Sequence, residues 1–298
     1  MEFSPRMKRN MLTAHAAAVG SMVLLKNVNQ TLPLRPAGSE PLPVAVFGTG
    51  QVRTVLACPD FSLYRGVSIL DGLTASPLVK PDPLLAHKYR AWALSHPTGE
   101  YPWRGLSMEE LAEENAAAIV VLSRDEDAYD PIVNNDELAM IEAVTRAFPR
   151  TVLILNTPGY MEVSQAAALC SAVVYMGIPG QEGGAALSEL LTGEAVFLGH
   201  LNQSWPRRRA DFIQANQVLD IYVGYRYFDT FGTELLYDFG YGLTYGAAEL
   251  AAVAVAVDGK DLVVSAQVVN TGDTWPVSQV VQVYVSRPAG KLPQPKYT

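Results

Sequence analysis

Cysteine is scarce in this chain: it occurs only at Cys58 and Cys170. The two form no C-x-x-C motif and have no histidines close by. That excludes a disulfide framework or zinc site as an organising device, and both read as buried or incidental thiols. Histidine is equally sparse. His15, His87, His96 and His200 lie far apart without the spacing of a zinc protease helix, so core or surface roles are expected and no metal site. Basic charge is short as well. The formal net charge is -8, which argues against nucleic acid, whose phosphates need a basic patch. No apolar run is long enough to span a bilayer, so no membrane partner is expected. The N-terminal stretch has basic residues ahead of an apolar segment, but His15 and the turn at Lys26-Asn27 fit a signal peptide poorly. It reads as an amphipathic helix of a cytoplasmic protein.

What is present is a globular composition. Of 298 residues, 49% are apolar, enough for two domains with a full core. Pro43 to Phe47, Ala118 to Leu122, Thr151 to Leu155 and Ala172 to Met176 are short β-rich runs bounded by turn signals, the pattern of buried parallel strands. Helical patterns lie between them. Leu138, Ile141, Val144 and Phe148 recur at helical spacing behind Asn135 and Asp136, which can cap a helix. Glu182 to Leu191 is a second helix. Repeated strand and helix predict an α/β fold, a layered α/β sandwich with a mainly parallel sheet, over residues 1–245.

After Gly246 the texture changes. Leu250 to Val257, Leu262 to Asn270 and Gln279 to Ser286 alternate apolar and small or polar residues, with turns at Asp258-Gly259 and Thr271-Gly272. These predict an antiparallel β-sandwich over residues 246–298. Such a sandwich needs roughly seven strands, so it is incomplete here, and the chain is expected to be a fragment of something longer.

Three motifs stand out. Ile221 to Tyr245 is a dense aromatic and glycine stretch with Arg226, Asp229, Glu234 and Asp238 interleaved. Rigid aromatic area with polar tips suits a turn that packs one domain on another. Pro179 to Gly184 (PGQEGG) lacks both the phosphate-loop lysine and the GxGxxG fingerprint, so it reads as a tight entry from strand to helix, with Glu182 in the first turn. Between Ser123 and Asp130 the acids Asp125, Glu126, Asp127 and Asp130 crowd one loop. Such a run is usually solvated, but crowded carboxylates also raise one another's pKa, which suits a general acid.

The aromatic stretch resembles the signature that closes the second domain of glycoside hydrolase family 3, the β-glucosidases and their relatives. Other segments agree in the family's order. His15 to Leu34 resembles its opening helix and following turn. Val44 to Thr54 (VAVFGTGQVRT) with Val67 to Leu73 (VSILDGL) resembles its first strand and next helix. Gly177 to Pro206 resembles its PGQEGG-to-WP run. Val268 to Tyr284 resembles the start of its fibronectin type III-like domain.

The resemblance implies a retaining glycosidase. In the family a (β/α)8 barrel supplies an aspartate nucleophile and a loop of the α/β domain supplies an acid/base glutamate, the pair lying about 5 Å apart. No cofactor is implied, and the substrate would be a β-linked glucoside or oligosaccharide. Nothing here resembles the barrel or its nucleophile motif. The FGTGQVRT phrase is most similar to members that place the barrel last, which would put the missing barrel beyond Thr298.

On this alignment Arg124 and Asp130 match the family's flanking substrate-binding positions. Glu126 is chosen as the acid/base, because its longer arm can make up for a loop one residue short, and Asp127 is the alternative. Val55 to Tyr64 replaces the glycine-rich loop of such members with bulkier residues that could narrow the site. A carbohydrate-binding or interaction module of the same fold, without catalysis, stays open as a second reading. A dinucleotide-binding domain is disfavoured by the missing fingerprint.

Overall fold

The computed structural model describes residues 3–58, 65–125, 130–217, 221–272, 274–286, 288 and 295–296. The chain opens with α1 (Pro5–Ser21), capped by the Ser4 hydroxyl, which accepts from Met7 N. It continues through β1 (Val23–Asn27), β2 (Leu42–Phe47), α2 (Ile69–Ala75), β3 (Val79–Pro81), α3 (Pro83–Ser95), α4 (Met108–Glu114) and β4 (Ala117–Ser123). Then come α5 (Asn135–Ala147), β5 (Thr151–Asn156), α6 (Ser164–Leu169), β6 (Ala172–Tyr175) and α7 (Gly183–Thr192). Next are β7 (Trp205–Pro206) and α8 (Arg209–Gln217), the aromatic stretch supplies α9 (Tyr225–Phe231) and β8 (Leu235–Tyr237), and a hairpin of β9 (Ala248–Asp258) and β10 (Asp261–Asn270) follows.

The main sheet has the order β1-β6-β5-β4-β2-β3. All neighbours are parallel except β1, which runs antiparallel along β6. The α/β layered sandwich with a mainly parallel sheet is therefore present. Its strands read as continuous apolar runs because both faces are covered. Along β4, Ala118, Val120 and Leu122 enter one core with Tyr89, Ile141 and Phe148. Ala117, Ile119 and Val121 enter the other with Ile69, Leu187 and Leu190. This is the period-two alternation of a strand between two helical layers.

The Gly183-Gly184 pair has a packing reason. A Cβ on Gly184 would lie 1.9 Å from Ser68 O, and one on Gly72 would lie 2.0 Å from Gly184 O. Only glycine lets α2 and α7 meet backbone to backbone. Glu182 is 8% exposed and stands just ahead of α7 without capping it through its side chain.

The aromatic stretch plugs into these layers. The Tyr241 hydroxyl donates to Leu25 O at 3.2 Å and the Tyr245 hydroxyl to Leu190 O at 2.6 Å. Trp205, fully buried, meets Tyr160, Tyr175 and Tyr237 edge-on at 5.3–6.0 Å between ring centroids. Tyr225 reaches the other way, to Tyr284, at 5.6 Å. Cys58 is half-buried and Cys170 buried, and the two form no disulfide with each other. The α1 helix packs as part of the fold: Ala18 is buried in the second core and His15 pairs with Glu189 of α7 at 2.9 Å. Among the described residues no helix is long and apolar enough to cross a membrane.

The C-terminal part is smaller than the sequence pattern suggests. Leu250 to Val257 and Leu262 to Asn270 do form antiparallel strands, but Gln279 to Ser286 forms none. Alternation makes a strand possible. A neighbour with matching hydrogen bonds makes it one.

Candidate active site

In the main sheet the chain leaves β2 toward β3 and later returns to the opposite side of β2 as β4. The crevice beyond the C-terminal ends of β2 and β4 is therefore the topological switch point, the usual ligand position in open α/β sheets. A cleft of about 490 Å³ opens there, lined among others by Thr49, Gly50, Glu100, Arg124, Asp125 and Asp130.

Its floor is the turn after β2. Gly48 has φ 90°, and a Cβ on it would meet Val121 O at 2.1 Å, so glycine lets the turn lie directly on β4. Thr49 to Gln51 form a short 3-10 turn. Glu100 holds this turn from the facing loop. Its carboxylate accepts from Thr49 N at 2.8 and 3.0 Å and from the Thr49 hydroxyl at 2.9 Å. Burial pushes the Glu100 carboxyl above its ordinary range, the hydrogen bonds from Thr49 and Tyr101 pull it back, and the Glu137 charge raises it again.

The wall includes Ser123, Arg124, Asp125 and Asp130, the described residues that flank the acidic loop after β4. Arg124 clamps that loop. One guanidinium nitrogen donates to Glu137 Oε2 at 2.7 Å and Ile132 O at 3.0 Å, and the others donate to Asp130 O at 3.2 Å and Ser123 O at 2.9 Å. The ion pair is largely buried, with side chains 13% and 14% exposed. Arg124 thus ties the two ends of the loop to the start of α5. Glu137 also closes a capping box with Asn134, whose side chain accepts from Asp136 N and Glu137 N. The cap of α5 is Asn134, one residue before the Asn135 and Asp136 expected from sequence. Asp130 is exposed and its residue lines the cleft. Glu126 and Asp127 lie outside the described residues, as do residues 59–64 of the stretch that replaces a glycine-rich loop.

Two positions of the site escape a reading of the sequence. Asn156 ends β5 fully buried and is fully used. Its amide oxygen accepts from Val55 N at 2.7 Å and the Ser123 hydroxyl at 3.0 Å, and its NH2 donates to Val55 O and Gly177 O, each at 2.8 Å. It rivets three strand ends beneath the cleft. A single polar residue closing a buried apolar run is the signal that could have found it. Glu100 sits among turn residues Pro97, Thr98 and Gly99, and its partner Thr49 is 51 positions away, so nothing local announces it. Among the described residues no group of three or more His, Cys, Asp or Glu could hold a metal ion.

Comparison with known proteins shows the family and the fold. The model of the glycosyl hydrolase family 3 C-terminal domain matches residues 22–245. A probable β-glucosidase L of Aspergillus fumigatus is 30% identical over 306 aligned positions, covering 92% of this chain and 40% of its own length. An exo-α-(1→6)-L-arabinopyranosidase of Bifidobacterium longum is 28% identical, covering 95% and 40%. The structure of β-glucosidase 3B from Thermotoga neapolitana in complex with α-D-glucose superposes with a TM-score of 0.86 at 29% identity, over 99% of this chain and 46% of that one. The chain spans about two fifths of the length of the curated relatives it matches. With three quarters of its length matched by one family model, the chain belongs to glycosyl hydrolase family 3 and carries that family's C-terminal domain.

Proposed function

We propose that this chain is part of a retaining β-glycosidase, β-glucosidase-like, and that the loop after β4 supplies its acid/base. The observation that carries this reading is the cleft at the β2/β4 switch point, lined by Asp125 and Asp130 from either end of the acidic loop, with Arg124 clamping both ends. A general acid must be held against the glycosidic oxygen, and a loop tied at both ends to a strand and a helix cap is suited to that. Glu126 is assigned the role, with Asp127 as the alternative. Arg124 spends its donors on the loop, so its contribution to substrate binding is through position. Asp130 offers an acceptor to sugar hydroxyls.

The nucleophile is assigned to a (β/α)8 barrel outside this chain, a reading supported by relatives more than twice as long. The boundary between the α/β domain and the fibronectin type III-like part is placed at residues 245/246, ahead of the first strand of the hairpin. Within the cytoplasm the substrate would be a β-linked glucoside or oligosaccharide. In a retaining mechanism one carboxyl group protonates the leaving oxygen while the barrel's carboxylate attacks the anomeric carbon. Water then releases the sugar with the first group acting as base.

The test is kinetic, in the full-length protein. Glu126→Gln is expected to lower turnover of an aryl β-glucoside by about 10²-fold or more, with partial rescue by azide. Rescue in Asp127→Asn and not in Glu126→Gln would move the role to Asp127. Saturable β-glucoside binding without turnover in the unsubstituted protein would instead make it a carbohydrate-binding module.

A further inference from the structure

A second cavity, of about 320 Å³, lies away from the cleft, where the aromatic stretch meets the segment after the hairpin. Ser204, Tyr225, Asp229, Asp238, Phe239 and Tyr284 line it. We propose that this cavity binds an organic cation, a primary ammonium or guanidinium group, carried by a free small molecule or by a basic side chain of a polypeptide.

The polar groups are the argument. Asp229 and Asp238 are acceptors only when ionised, and among the described residues neither carboxylate takes part in a hydrogen bond or a close ion pair. Ser204, 2% exposed, has a hydroxyl with no hydrogen-bond partner, an unusual condition for a buried polar group. Gln282, also in the lining, is engaged in part within the wall. Its amide NH2 donates to Phe239 O at 2.9 Å, and its amide oxygen accepts from the Tyr284 hydroxyl. The two carboxylates therefore add negative charge to a wall that also holds hydroxyl and amide groups. A cation neutralises that charge, which a sugar hydroxyl does not. An ammonium or guanidinium group only gives hydrogen bonds.

The apolar walls agree. Phe239 and Tyr284 stand 5.4 and 5.6 Å from Tyr225, ring centroid to centroid, and aromatic faces attract cations. The Arg226 guanidinium already lies 5.2 Å from the Tyr225 ring centroid. Burial raises the Asp229 carboxyl above its ordinary range, Lys296 draws it back and Asp238 raises it again. A divalent metal fits less well: Ca²⁺ takes six to eight oxygen ligands, and the described residues offer no group of three or more metal-binding side chains here.

The test is an ¹H–¹⁵N titration of the chain with agmatine, alongside an acetylated Gly-Arg-Gly amide, glucose and MgCl2. The expected result is saturable shifts at Ser204, Asp229 and Asp238 with agmatine or the peptide, and none there with glucose. Equal affinities would assign a free cation, and a clearly tighter peptide would assign a polypeptide side chain. Asp238→Asn, at an exposed position, should weaken binding about tenfold through loss of one charge-assisted contact, with the melting temperature unchanged. Lys296→Ala should leave binding intact or tighten it. Absence of saturable shifts at these residues with both cations would overturn the proposal. So would unchanged affinity in both Asp229→Asn and Asp238→Asn, or a response there to glucose or Mg²⁺ in place of agmatine.

Discussion

The strands of the main sheet and those of the C-terminal hairpin are built from the same residue types and end in opposite environments. Every residue of β5 is buried, and every residue of β4 except Ser123. Every residue of β10 is exposed, and on β9 Val253, Val255 and Val257 are 64–76% exposed. Valine content alone therefore says that a segment is extended, and nothing about what covers it. An unbroken apolar run does not decide it either, since Leu250 to Val257 is as unbroken as Ala118 to Leu122 and yet largely exposed. The difference lies in the helical layers that pack on both faces of β4.

The strongest way to break the comparison is to force the layers of the main sheet apart. A side chain at Gly184 meets Ser68 O at 1.9 Å, and backbone cannot swing aside. Gly184→Val is expected to cost about 4 kcal/mol, near the top of the range for single substitutions, as a lowered urea midpoint or loss of folded protein. Next comes removal of filling without touching backbone. Ile154 is fully buried on β5, and Ile154→Ala is expected to cost about 3 kcal/mol in the same assay. A cost below about 1 kcal/mol would mean that the sheet is looser than its burial implies.

These two sites also show what is legible in advance. The strands at β2, β4, β5 and β6 can be located from sequence to within a residue or two, because burial on both faces leaves an unbroken apolar run between turn residues. Strand β1 reads in the sequence as the turn after the opening helix. Its five residues end in Lys26-Asn27, and nothing local says that Val23 will pair with Tyr175. The cap at Asn134 is legible in principle, since Glu137 stands three residues on to close the box. Around the cleft, Arg124 stands out through the family pattern, but its role as a clamp is a fact of partners at positions 130, 132 and 137. Glu100 and Asn156 act across the sheet, which single-sequence reading does not reach.

A subtler effect concerns charge at the cleft floor. The Glu100 carboxyl titrates above its ordinary range, chiefly through burial. The folded state then binds the proton more tightly than the unfolded chain does. Stability from this group is present at low pH and is lost as pH rises through the raised folded value. Glu100→Gln removes that dependence. Urea unfolding of both proteins from pH 7 down to the ordinary glutamate range should show the wild type gaining on the variant as pH falls. A constant difference would mean that Glu100 is as well solvated as a surface carboxylate, and the floor of the cleft as open as the hairpin.

The smallest expected effect bears most directly on the hairpin. Val255 is 65% exposed, so Val255→Thr should change stability by no more than about 0.5 kcal/mol. The substitution keeps the β-branch, and so the preference for extended backbone, while removing one apolar methyl from the surface. Its information lies in the comparison with Ile154→Ala under identical conditions. If both strand systems are as different as their exposure says, the two costs should differ about sixfold or more. If Val255→Thr instead costs above about 1 kcal/mol, the valine face is out of water in solution. Repeating the measurement across a tenfold range of protein concentration would then separate the two ways of covering it. Cover by a second copy makes the cost grow with concentration by mass action, whereas cover by the chain's own segments leaves it constant.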